Sequence, residues 1–276
     1  MARFPLEILD LFIDTIFLSS PAILRGKDAT FRVCRLVSRS FYLRSRHHTF
    51  RTILIINRKL RRNSKLRNIL KYRYTDDIFP PLITCVKDVT ILLRVGYTDL
   101  DPDVGAILTM LHGQIQGIES LKLECRLLKP MSLAQSDNRL CGAIVQLSQS
   151  ASLRRLSLDN IDHIPASLLG GHLQHLSLRR LGTCEHSWSP PLGHTASTMP
   201  LPTLKSFSTD LSFRFSEASS LVIDSASFPS PFRELKTLDL SFTSSGGWGS
   251  ELRHILAASS NSLQDLQMRF YDLRGG

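Results

Sequence analysis

Apolar residues recur along this chain in one figure, apolar-x-x-apolar-x-apolar. It occurs as Val86-Val89-Ile91, Ile118-Leu121-Leu123, Leu153-Leu156-Leu158, Leu173-Leu176-Leu178, Leu235-Leu238-Leu240 and Leu263-Leu266-Met268. Phe50-Ile53-Ile55 fits as a first copy and Leu204-Phe207-Thr209 as a degenerate one, and the starts lie 36, 32, 35, 20, 31, 31 and 28 residues apart. Each copy predicts a short strand with one apolar face. A single strand cannot bury that face, whereas successive copies stacked into a parallel sheet share a core. Between the copies, Val104, Ile107, Leu108 and Leu111 share one face of a helix predicted over 103–112, and 139–147 and 251–258 read likewise. The short gap after Leu153 leaves no room for a helix and predicts a turn around Ile161, Ile164 and Leu168.

The pattern before the repeats has a helical period. Glu7, Asp10 and Asp14 form one polar stripe, flanked by Leu6, Leu9, Ile13 and Ile16 on one side and Ile8, Leu11 and Phe12 on the other. Asp28 is a good N-cap for a second helix carrying Phe31, Cys34, Val37 and Phe41, and a third restarts near Ser38 with Phe41, Tyr42 and Leu43. Three short helices of about 45 residues make a marginal core. Surplus apolar surface on so small a unit predicts a partner.

Phe4-Pro5-Leu6-Glu7, together with Val37-Ser38-Arg39-Ser40-Phe41, resembles the F-box, whose usual motifs are Leu-Pro-x-Glu and Val-Cys-x-x-Trp. Phe stands here in place of the usual Leu at position 4 and of the usual Trp at position 41, and Leu18–Lys27 is a longer insertion between the first two helices. The basic tail of this unit, and Pro80–Leu93 following a helix like Lys65–Tyr74, look most like fungal F-box proteins with leucine-rich repeats. The resemblance implies docking onto the Skp-type adaptor of an SCF-type cullin–RING ubiquitin ligase. Pro5, Leu6, Ile8, Leu9, Phe12, Ile13, Val37 and Phe41 are then the surface the adaptor covers, and the repeats hold a target protein for ubiquitylation. The expected architecture is α/β: an F-box-like three-helix unit over 1–48, then an irregular leucine-rich-repeat solenoid over 49–276. The chain ends directly after a repeat strand without a polar cap, which reads as an abbreviated or truncated C-terminus.

Charge changes this picture in one place. The net charge of +10 is made up of +13 over residues 1–74 and −3 over the remainder. Arg58–Arg73 holds eight basic residues and no acid, among them Arg58, Lys59, Arg61, Arg62, Lys65 and Arg67. One reading is a solvated helix face with Leu60, Leu66, Ile69 and Leu70 packed inward; the others are a nuclear localisation signal or a nucleic-acid patch. Aromatic residues do not interleave these cations before Tyr72 and Tyr74, which disfavours stacking on single strands. A nuclear basic nucleic-acid-binding protein and a ligase-independent interaction scaffold are therefore the alternatives to the ligase receptor.

Candidate chemistry is sparse. The five cysteines are scattered without a CxxC pair, which points to reduced thiols in the cytoplasm or nucleus. Acidic residues interrupt the apolar N-terminus, which excludes a signal peptide there, and no apolar run is long enough for a membrane span. Cys184, His186 and His194, with His172 and His175, match no compact zinc spacing, and His47-His48 read as structural. Asp99-Asp101-Asp103 lacks the glycine and distal glutamate of a calcium loop and reads as a turn capping the next helix. Phosphate loops and nucleophile elbows are missing, so neither an enzyme nor a cofactor is expected. Trp188, in the proline-rich insertion 182–202, is either a contact anchor for the target or packs back on the sheet edge. The terminal Leu273-Arg274-Gly275-Gly276 resembles a ubiquitin-like conjugation tail but follows a repeat strand.

Overall fold

The recurrent figure folds into one open sheet of eight parallel strands in sequential order, so the fold is α/β and compatible with a solenoid. The computed structural model describes residues 11, 39–57, 60–71, 81–93, 101–114, 117–126, 131–132, 138–162, 168, 172–179, 203–210, 230–243 and 249–271. In chain order these form α1 (Arg39–Arg51), β1 (Thr52–Ile56), α2 (Leu60–Lys71), a 3-10 turn (Leu82–Cys85), β2 (Asp88–Leu93), α3 (Pro102–His112) and β3 (Ser120–Cys125). Then follow β4 (Met131–Ser132), α4 (Asn138–Ser148), β5 (Arg155–Asp159), β6 (Ile161–Asp162), β7 (His175–Arg179) and β8 (Ser206–Asp210). The last elements are β9 (Thr237–Thr243), α5 (Gly249–Ser259) and β10 (Asp265–Tyr271). All strands but β4 and β6 belong to the large sheet; those two pair with each other.

The register is the sequence repeat made physical. Ile53, Val89, Leu121, Leu156, Leu176, Phe207, Leu238 and Leu266 pair in one row, and Ile55, Ile91, Leu123, Leu158, Leu178, Thr209, Leu240 and Met268 in a second. Both rows are buried from β1 to β9. The degenerate copy keeps the pattern: Phe207 packs its ring on Phe232 at 5.4 Å, and Thr209 is buried with its hydroxyl bonded to the Asp210 carbonyl at 3.4 Å. A one-residue slip would turn every row to solvent, so each strand's alternation fixes its neighbour.

Helices close the back. Val104, Ile107, Leu108 and Leu111 of α3 are all buried, as the spacing predicts. Asp101 caps α3 by accepting from the Asp103 N–H at 3.0 Å, and Pro102 supplies a preset φ at its start. Leu140, Ile144 and Leu147 of α4 and Ile255 of α5 join the same core. Where a helix is too long for the gap, Ile161 and Leu168 are buried instead, and Ile164 lies outside the described residues. Gly117 takes a φ of +53°, and a side chain there would meet the Ser152 hydroxyl. That hydroxyl donates to the Ile118 carbonyl at 2.9 Å, and Ser262 does the same to Leu235 at 2.9 Å, stitching repeat to repeat.

Two expectations are corrected. Phe50 is in α1 and not in the first strand, which begins at Thr52. Its apolar character suits the end of a helix as well as the start of a strand, and the helix wins. Ile69 of α2 does not pack inward but is 43% exposed, while Leu70 is fully buried and Leu66 packs partly on the core. Successive positions 100° apart on a helix cannot all face the sheet.

Candidate interaction surface

Helix α1 ends at Arg51 and β1 starts at the next residue, so the predicted third helix of the docking unit runs through position 48 into the sheet. Its last turn carries His48 and Arg51, and the Arg51 guanidinium suits the negative end of the helix dipole. Arg51 also reaches sideways: Nε lies 3.3 Å from Asp88 Oδ2, and Nη2 lies 3.4 Å from Glu119 Oε2. Lys87 joins Glu119 at 3.8 Å, and Arg155 reaches the other oxygen of Asp88 at 3.4 Å. The helix terminus is thereby tied to β2 and, through Glu119, to the start of β3. The rings of His47 and His48 stand edge to face at 6.0 Å. Burial first, then the His48, Arg44, Arg51 and Lys87 charges, lower the His47 pKa and favour its neutral form.

A buried polar cluster fixes α2 behind the first strand. Asn63 donates to the Ile56 carbonyl at 2.9 Å and to Asp101 Oδ2 at 2.6 Å, and the Asp101 N–H donates to Asn57 Oδ1 at 3.2 Å. Arg67 pairs with Asp103 at 2.5 Å. One cation of the basic segment is therefore spent on holding α2 to α3, whereas Arg62 and Lys65 are exposed. Both line an open, mostly apolar groove of about 540 Å³ whose floor includes Phe50, Ile53, Leu54, Leu66 and Ile69. Arg58 and Lys59 lie outside the described residues, as does the side chain of Arg61.

The face of the sheet opposite the helices is polar and built in rows. In the row that opens the strands, one backbone carbonyl accepts two successive N–H groups from the next strand. Lys87 accepts from Glu119 and Ser120, Glu119 from Arg154 and Arg155, Arg154 from Gln174 and His175, Gln174 from Lys205 and Ser206, and Lys205 from Lys236 and Thr237. A carbonyl has two lone pairs, so the arrangement satisfies every donor along the rim. It also sets Arg51, Lys87, Arg154, Lys205 and Lys236 along one edge. Further up the strands, Ser157, Ser177 and Ser208 align, and above them Asp159, Arg179 and Asp210. Glu124 is held below the usual carboxylate range by its hydrogen bond to Arg126 at 2.7 Å, aided by Lys122.

Pro5, Leu6, Ile8, Leu9, Phe12, Ile13 and Val37 lie outside the described residues, as does Trp188; Phe41 is in α1, its side chain outside them. Cys184, His186 and His194 also lie outside, and no group of three or more His, Cys, Asp or Glu among the described residues is placed to hold a metal. No described helix is long and apolar enough to cross a membrane. Asn57, Asn63 and the stitching serines escaped the sequence pattern; Ser-Leu at 152–153 and 262–263 was the available signal. No family model, curated protein or solved structure matches this chain.

Proposed function

We propose that this protein is a non-catalytic receptor: the N-terminal unit docks the Skp-type adaptor of an SCF-type ubiquitin ligase, and the sheet presents a target protein. The observation that carries this reading is the unbroken passage from α1 into β1, with Arg51 clamped to Asp88 and Glu119. A tethering receptor works by holding its target at high effective concentration near the transfer chemistry. A stiff joint between docking unit and presenting face serves that purpose, where a flexible linker would spread the target over a larger volume.

The F-box-like motif residues supply the test. Replacing Pro5→Ala and Leu6→Ala together is expected to abolish co-purification of a Skp-type adaptor while the thermal transition of the sheet stays within about 2 °C of wild type. Equal recovery of adaptor with the double variant sinks the docking assignment. Deleting residues 1–48 is a poorer test, because the cut falls inside α1 and opens the end of the sheet.

A further inference from the structure

The basic residues of the strand-opening rim divide into two groups. On β1 to β3, Arg51 and Lys87 face Asp88 and Glu119, and Arg155 leans back from β5 onto Asp88. Beyond β5 the strand-opening row carries no acid until Asp265 on β10, and Glu234, two residues before Lys236, faces Arg233 at 3.8 Å. Among the described residues Arg154 donates to the His172 carbonyl at 3.2 Å and pairs with no acid, and Lys205 and Lys236 are exposed and form no ion pair. His175 sits on the strand between Arg155 and Lys205. The row ends at Asp265 on β10. A segment of net charge −3 thus concentrates uncompensated cations along one edge.

We propose that this rim, carried by Arg154, His175, Lys205 and Lys236, docks an acidic, extended segment of a partner protein. The inference rests on the sheet being the partner-binding part and does not depend on the adaptor. Neighbouring strands stand about 4.8 Å apart, so the row from β5 to β9 spans about 14 Å, the reach of four or five extended residues. The rim is narrow: Asp159 and Asp210 lie five residues beyond Arg154 and Lys205, about 17 Å along the strands, and repel a broad polyanion laid over the sheet. The open face of β5, β7 and β8 also offers no Phe, Tyr or Trp side chain for bases to stack on. These features favour a single acidic peptide over nucleic acid. Burial, then Arg155 and Lys205, lower the His175 pKa, so this imidazole reports on any anion that arrives.

The test uses the full chain and a fluorescein-labelled deca-glutamate peptide at low salt. Binding is expected to weaken by about tenfold in Lys205→Ala/Lys236→Ala and to stay within about twofold in Arg62→Ala/Lys65→Ala, which removes exposed cations elsewhere. In the wild type, saturation with peptide is expected to raise the His175 pKa followed by NMR. No binding by wild type, equal loss in both double variants, or binding without movement of His175 overturns the proposal. Tighter, rim-dependent binding of a twenty-residue oligothymidylate makes the occupant a nucleic acid and also overturns it. No adaptor enters the experiment, so its failure leaves the docking assignment standing, and the Pro5 and Leu6 variant leaves the rim standing.

Discussion

The two ends of the sheet carry the same figure and meet different fates. At the first strand Ile53 and Ile55 are 5% and 0% exposed; at the last, their register partners Leu266 and Met268 are 42% and 49% exposed, and Phe270 beyond them 74%. The first strand is backed by α2 and flanked by α1 and the 3-10 turn, with Asn57, Asn63 and Asp101 bonding the pieces together. On β10, Phe270 stacks on Phe242 at 5.0 Å, and Leu266 and Met268 gain little other cover among the described residues. Burial here is decided by what lies behind a strand, not by the strand's own residues.

The sharpest way to break this comparison is to truncate both ends. Ile55→Ala is expected to destabilise the fold by about 2–5 kcal/mol, because it leaves a cavity in a fully packed row. Urea unfolding measures this, and a loss under about 1 kcal/mol would show the first strand to be less tightly closed than its burial implies. Asp101→Ala follows, at about 1–3 kcal/mol, since it removes the α3 cap and one of the two acceptors of the buried Asn63 amide. Its effect belongs at the β1 end, so hydrogen exchange is expected to rise in β1, α2 and α3 while β8 and β9 keep their protection.

Acid sharpens the same contrast. The folded His47 pKa lies below its ordinary 6.5, so the unfolded chain binds the proton more readily. Stability is complete above about pH 6.5 and falls as the pH drops below it, towards the lower folded value. His175 acts in the same direction from the middle of the sheet. His47→Gln is expected to shrink the loss of urea midpoint between about pH 7 and 5.5 without abolishing it; an unchanged slope would remove His47 from the account. The smallest effect is expected at the far end. Met268→Lys, on an exposed side chain, should stay within about 0.5 kcal/mol, and a loss above about 2 kcal/mol would mean that this face is covered in solution.

Much of this was legible in the sequence because the core is periodic. The eight copies of the figure sit in register, and Val104, Ile107, Leu108 and Leu111 fall on the buried face of α3 with Asp101 as its cap. What escaped has a common cause. Arg154, Lys205 and Lys236 follow one another at intervals of 51 and 31 residues along the chain and come onto one edge only through strand register. Asn57, Asn63 and Asp101 likewise assemble across two elements and a loop, and each alone looks like an ordinary polar turn or helix residue. Phe50 was misplaced because an apolar residue at an element's edge suits a helix end as well as a strand start, and Ile69 because it stands 100° round the helix from the buried Leu70. The adaptor-facing residues, read from motif resemblance, rest on the sequence, and Phe41 alone among them falls within a described element.

The docking claim is tested most directly by co-expressing the full chain with a Skp-type adaptor and passing the product over a size-exclusion column. A stoichiometric complex that co-elutes, and that the Pro5→Ala/Leu6→Ala variant fails to form, is the result this account predicts. A folded protein that elutes alone contradicts it, and leaves the sheet as an interaction scaffold independent of the ligase.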